Sequence, residues 1–132
     1  MKSFSFENIY AWQKAHAFVL LVYRITASFP DEEKFGLTMQ FRRAAVSIEA
    51  NIAEGYKKLS KADKLRFFNI AEGSLEECRD YIILSKDLHY ISLEQFDQLV
   101  NSIEENSKLL IAYSKGIIQN NALTKKDEKA NV

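Results

Sequence analysis

One proline and four glycines are all that punctuate a chain of 132 residues. Apolar side chains recur every three or four positions between them, so nearly every stretch can close into helix and little can stop it. The periodicity predicts a first helix over about residues 7–28, with Ile9, Trp12, His16, Val19, Tyr23 and Thr26 on one stripe, ended by Phe29-Pro30, since the residue before a proline is disfavoured in helix. Asp31 to Gly36 reads as a connector with room for one helical turn. A second helix follows over about 37–59, its stripe Phe41, Ala44, Ala45, Ile48, Ile52 and Tyr56. Ser60 with Asp63 marks the cap of a third, over about 61–89, carrying Phe68, Ala71, Leu75, Cys78 and Ile82 inward. Ser92 with Gln95 is a capping-box pair opening a fourth over about 93–120, with Phe96, Leu99, Ile103, Leu110, Tyr113 and Ile117 as its stripe. Residues 121–132, with TKKDEK and no apolar period, read as a disordered polar tail. The fold class expected is all-α, one domain over 1–120, an up-down-up-down antiparallel four-helix bundle with short connections.

The single cysteine, Cys78, excludes an internal disulfide framework and a cysteine-based zinc site, and fits a reducing compartment. No secretory leader is expected, because MKSFSFENIYAWQK lacks a basic start, an apolar core and a small-residue cleavage site. The longest apolar run, Ala17 to Tyr23, is too short to cross a bilayer, so the expectation is a cytoplasmic protein with no membrane partner. Formal net charge is zero, which disfavours a chain built around non-specific attraction to nucleic acid or anionic lipid. The charge is nevertheless polarised. Residues 37–66 hold seven basic side chains against three acidic ones, and residues 67–107 hold nine acidic against two basic.

A helix in an isolated bundle needs one apolar stripe. At about 100° per residue, Phe18, Leu21 and Ile25 fall opposite His16 and Tyr23, and Met39, Val46, Ala50 and Ala53 fall opposite Ile48 and Ile52. Gly73 falls on the outward side of the third helix, where glycine costs about 1 kcal/mol against alanine unless a second backbone comes close. These eight positions form a candidate surface for self-association; the competing account packs them internally or under the 31–36 connector. The pentapeptide Asn-Ile-Ala-Glu-Gly occurs at Asn51 to Gly55 and again at Asn69 to Gly73. The first copy aims its glycine inward and the second outward, so a shared structural role is not expected.

The run FPDEEKFGLTMQFRRAAVSIEANIAEG from Phe29 to Gly55, followed by FFNIAEGSLEE from Phe67 to Glu77, resembles the four-helix-bundle family of bacterial 23S rRNA intervening-sequence proteins. Similar bundles include the accessory variability protein of diversity-generating retroelements, a five-membered ring that binds nucleic acid. The resemblance implies a ring-like homo-oligomer, with a pentamer favoured, and carries no shared enzymatic activity. Glu49 departs from the family pattern, which has proline after Ser-Ile, and the neutral charge departs from the strongly basic retroelement relatives.

Adjacent guanidiniums at Arg42 and Arg43 can grip phosphate, or latch helices through Glu49 and Glu54 on their two flanks. Lys57, Lys58, Lys61, Lys64 and Arg66 cluster at the turn between the second and third helices. Together these seven residues form a candidate RNA- or DNA-binding pole, with Tyr56 and Phe67 the nearest stacking rings; the bland account is a solvated turn whose lysines suit the helix dipole. Glu72, Glu76, Asp80 and Glu77 form a carboxylate ladder that invites magnesium-dependent nucleotide hydrolysis, with Glu104 and Glu105 the only dense second set. A di-iron bundle is excluded, because Gln13 and Lys86 stand where Glu-x-x-His needs glutamates. His16 reads as a hydrogen-bonded interior histidine and Asn106 as a lone amide fixing register in the fourth helix. Cys78 reads as a small core residue, and Ser74 has no evident base. No cofactor or metal is expected. The function expected is that of a non-enzymatic, self-associating scaffold, with RNA, DNA or a nucleic-acid-processing protein as the second partner class.

Overall fold

The computed structural model describes residues 2–123, the side chains of 120–123 excepted. The expected disorder of the tail falls, from 124 onward, outside the described residues. Four helices dominate: α1 (Tyr10–Thr26), α2 (Leu37–Lys57), α3 (Lys61–Asp87) and α4 (Leu93–Leu123). Each packs on its neighbour in sequence and α1 closes on α4, so α1 and α3 occupy opposite corners around a single core.

The boundaries follow local chemistry. Helix α1 begins three residues later than the periodicity predicts, because Ser5–Asn8 form a separate 3-10 turn and Ile9 is extended; Glu7 spends its carboxylate on the Phe4 N–H. Ser60 caps α3 by accepting the Asp63 N–H at 3.1 Å. The box at α4 is reciprocal: the Gln95 N–H reaches Ser92 Oγ at 3.1 Å and the Ser92 N–H reaches Gln95 Oε1 at 2.9 Å. Helix α3 stops at Asp87, two residues short of expectation, because His89 takes a left-handed conformation with φ 61°. The Tyr90 N–H then bonds the Ser85 carbonyl and the His89 N–H bonds that of Lys86, each at 2.9 Å. That pair of bonds is the Schellman ending, made here without glycine.

The buried stripe of α1 is Ala11, Ala15, Phe18, Val19, Val22, Ile25 and Thr26. This corrects the expected stripe: Phe18 and Ile25, assigned above to an outward face, lie in the chain's own core, and Leu21 packs half-buried against it. The expected interior residues Trp12 and His16 sit half-buried on the flank, and Tyr23 is exposed. Either face of so apolar a helix could have been buried. The face bearing two alanines won, since Ala11 and Ala15 let the neighbouring helices come close.

Helices α2 and α3 make the closest pair. Small side chains line their seam, and Gly55 is required there: a Cβ on it would stand 2.6 Å from the Phe68 ring. The second pentapeptide glycine, Gly73, has open space where a Cβ would go. The two copies therefore play the different parts expected of them.

Candidate interaction surfaces

The residues of the Phe29 to Gly55 run serve as fasteners. Phe29 packs on the Tyr90 ring with centroids 5.3 Å apart. Glu33 accepts the Tyr90 hydroxyl at 2.8 Å with one oxygen and the first α2 N–H, that of Leu37, at 3.2 Å with the other. That hydrogen bond to the Glu33 carboxylate raises the Tyr90 hydroxyl above its ordinary pKa. Arg42 donates to Thr26 Oγ1 at 2.8 Å and to the Tyr23 carbonyl at 3.3 Å, with its guanidinium over the Tyr23 ring. It thereby ties off the C-terminal end of α1 and is spent on structure. Ser47 and Ser74 hydroxyls meet at 2.7 Å across the α2–α3 seam, and the Asn51 amide donates to the Ser47 carbonyl at 2.8 Å. Sequence reading singled out none of Glu33, Ser47 and Tyr90, and placed Thr26 on a stripe without its bond to Arg42. The available signal was the small polar residue at the edge of a stripe, as with Ser47 between Ala44 and Asn51.

The expected basic pole is largely engaged inside the molecule. Lys64 donates to the Gly55 and Tyr56 carbonyls at the end of α2, and burial lowers its ammonium pKa. Lys61 donates to the Ile118 carbonyl at 3.1 Å. Lys58 and Arg66 both lie 4.9 Å from the centre of the Phe67 ring, and Arg66 also pairs loosely with Asp63. The rings suggested for stacking bases are thus occupied by the chain's own cations. Lys57 and Arg43 are exposed.

One rung of the carboxylate ladder, Glu76, is tied down as well. Arg79 bridges Glu76 on its own helix to Glu104 on α4. Among the described residues no group of three or more His, Cys, Asp or Glu side chains is arranged to hold a metal ion. Cys78 is fully buried, and burial pushes its thiol far above the ordinary value, with Glu77 adding to the shift. Asn106 is fully buried with both amide atoms unpartnered among the described residues. None of the described helices is long and apolar enough to cross a membrane.

The outward side of α2 carries Met39, Val46 and Ala50 in the open, as expected, with Ala53 half-buried under Phe4 and Phe6 in an apolar groove. Beside this row, between α2 and α3, runs an open cleft of about 330 Å³. Its lining is Gln40, Arg43, Ala44 and Ser47 from α2 with Ser74, Glu77 and Tyr81 from α3. Tyr81 spans its mouth, its hydroxyl 3.2 Å from both Gln40 and Glu77.

The family described as 23S rRNA-intervening sequence protein matches residues 7–112. A solved structure from the S23 ribosomal protein family of Bacteroides thetaiotaomicron, described as a protein with unknown function, is 30% identical over 80% of this chain and 95% of that one, with a TM-score of 0.74. No curated protein matches the chain. The match runs from the 3-10 turn through most of α4, and the chain belongs to the 23S rRNA-intervening sequence protein family.

Proposed function

We propose that the protein is a non-enzymatic scaffold that works as a ring-like assembly of identical copies. The observation that carries this reading is the exposed row Met39, Val46 and Ala50 on α2, beside Gly73, which has open space above it on α3. Apolar side chains and a mid-helix glycine gain nothing from water, and both gain from a helix laid against them. The engaged groups are in keeping with this reading: Arg42, Lys64 and Arg79, with Glu76 and Glu104, are bonded within the fold, and the outward faces of α2 and α3 remain open.

Sedimentation at micromolar concentration tests the reading. The expected result is a species several times the 15.2 kDa of one chain; a lone chain across the concentration range ends it. Nucleic-acid binding is the second reading, favoured by the exposure of Lys57 and Arg43 and by the association of the family's name with ribosomal RNA. Titration of labelled RNA and duplex DNA at two salt concentrations decides it. A steep salt slope abolished by Lys57→Glu with Lys61→Glu supports that reading, and absence of binding at low salt removes it.

A further inference from the structure

The two surfaces a self-associating copy needs are both present, and they differ. Helix α1 contains no carboxylate in its 17 residues. Its outermost ridge is Gln13, Ala17, Leu20 and Arg24, all exposed, with Leu20 at 54%. Lys14 is held by Glu105 on α4 at 3.0 Å, whereas Arg24 makes no ion pair among the described residues. The α2–α3 cleft is the complement. Its floor is made of the small residues Ala44, Ser47 and Ser74, and the two serine hydroxyls satisfy each other, so an apolar side chain seated there strands neither. Its α3 lip is acidic, with Glu77 in the lining, where it accepts the Tyr81 hydroxyl, and Asp80 exposed one turn on. Its α2 lip carries Gln40 and the exposed Arg43, so an incoming cation is favoured on the α3 side only, and Tyr81 must turn aside to admit a side chain. Gly73, next in the chain to Ser74, leaves room for a helix backbone to approach.

We propose that one copy seats the α1 ridge, with Leu20 as the inserted side chain, in the α2–α3 cleft of the next, placing Arg24 against Glu77. The inference rests on the self-association proposed above and specifies its geometry. Ridge and cleft belong to different sides of the bundle, so the contact is heterologous: each copy gives one surface and receives at the other, and the series closes as a ring if the rotation allows. A partner of unrelated sequence is not needed, since the chain carries a ridge with only positive charge and a cleft whose α3 lip, opposite Arg43, is acidic.

The test uses full-length protein and sedimentation velocity, with thermal melts confirming that each variant folds; Ala17→Glu stands in for Leu20→Glu if the latter melts early. Arg24→Glu, Glu77→Arg and Leu20→Glu each reduce the assembly to single chains, and the charge-swapped double Arg24→Glu/Glu77→Arg restores it. Mixing Leu20→Glu with Glu77→Arg leaves one working ridge and one working cleft, so it gives a one-to-one pair and nothing larger. An assembled wild type whose mass survives all three single changes, or a mixture that fails to pair, overturns this contact and leaves self-association standing. A wild type that never assembles overturns both.

Discussion

Nδ1 of His16 stands 2.8 Å from Oε2 of Glu49, and this contact joins α1 to α2 across their flanks. The imidazole lies flat on Trp12, with ring centroids 4.8 Å apart and planes 10° from parallel. The side chain of Glu49 is 16% exposed and that of His16 is 45% exposed, so the pair is partly shielded from water. Glu49 thereby gives the bundle a cross-helix bond between α1 and α2 in which each partner is partly buried.

That bond should be measurable as a coupling. In a double-mutant cycle of His16→Ala and Glu49→Ala, followed by urea unfolding, we expect an interaction of about 1 kcal/mol. Additive single effects would show that the two side chains act independently and that the Trp12 stack alone orders the imidazole.

His89 gives a change of the opposite sign. A non-glycine residue in the left-handed region costs about 1–2 kcal/mol, and His89 is exposed, with φ 61° at the Schellman position after α3. His89→Gly removes that penalty and gives back part of it as chain entropy in the unfolded state. The expected net gain is about 0.5–1 kcal/mol in urea midpoint terms; a loss would mean that the imidazole makes a contact worth more than the strain.

What the sequence revealed and what it hid follow one physical line. Helix ends with side-chain caps were readable, because Ser60 and the Ser92–Gln95 pair carry their own donors and acceptors. The end of α3 was not, since its αL position is filled by histidine where glycine is the usual signal. The outward faces of α2 and α3 were readable from periodicity, because charged side chains flank the buried stripe and set its phase, as Arg42, Arg43, Glu49 and Glu54 do on α2. The α1 stripe was not: the run Ala17 to Tyr23 has no polar side chain short of the tyrosine to set its phase, and packing against Phe41 and its neighbours selected Phe18 and Ile25. Arg42 and Lys64 resembled a binding site in one dimension because nothing in sequence shows that the end of α1 and the end of α2 lie beside them.

Cys78 offers a probe of opening. Burial keeps its thiol protonated, and the thiolate is the reactive form, so iodoacetamide should label native protein only through local or global unfolding. Labelling rates that track urea-dependent unfolding are expected, and rapid labelling without denaturant would show that α3 opens readily.

Asn106 sits in the core of α4 with no partner for either amide atom among the described residues. An unpaired buried polar group costs about 1–3 kcal/mol, while leucine of similar size would add apolar contact. Asn106→Leu is therefore expected to stabilise the chain by about 2 kcal/mol. A destabilised variant would point instead to an ordered water bonded to that amide, which leucine would displace.

The two pentapeptides allow one substitution to be tried twice in nearly the same local sequence. Gly55→Ala puts a methyl 2.6 Å from the Phe68 ring, and Phe68 is itself locked in the core, so the ring cannot move aside without opening the α2–α3 seam. A loss of about 1–3 kcal/mol is expected, as for overpacking elsewhere. Gly73→Ala meets nothing within 4 Å and exchanges a poor helix former for the best one, a gain of about 0.5–1 kcal/mol for the isolated chain. Unfolding midpoints of the two variants should therefore move in opposite directions. A shared direction would mean that seam packing does not govern the Gly55 position, or that Gly73 is already covered in the protein as it exists in solution.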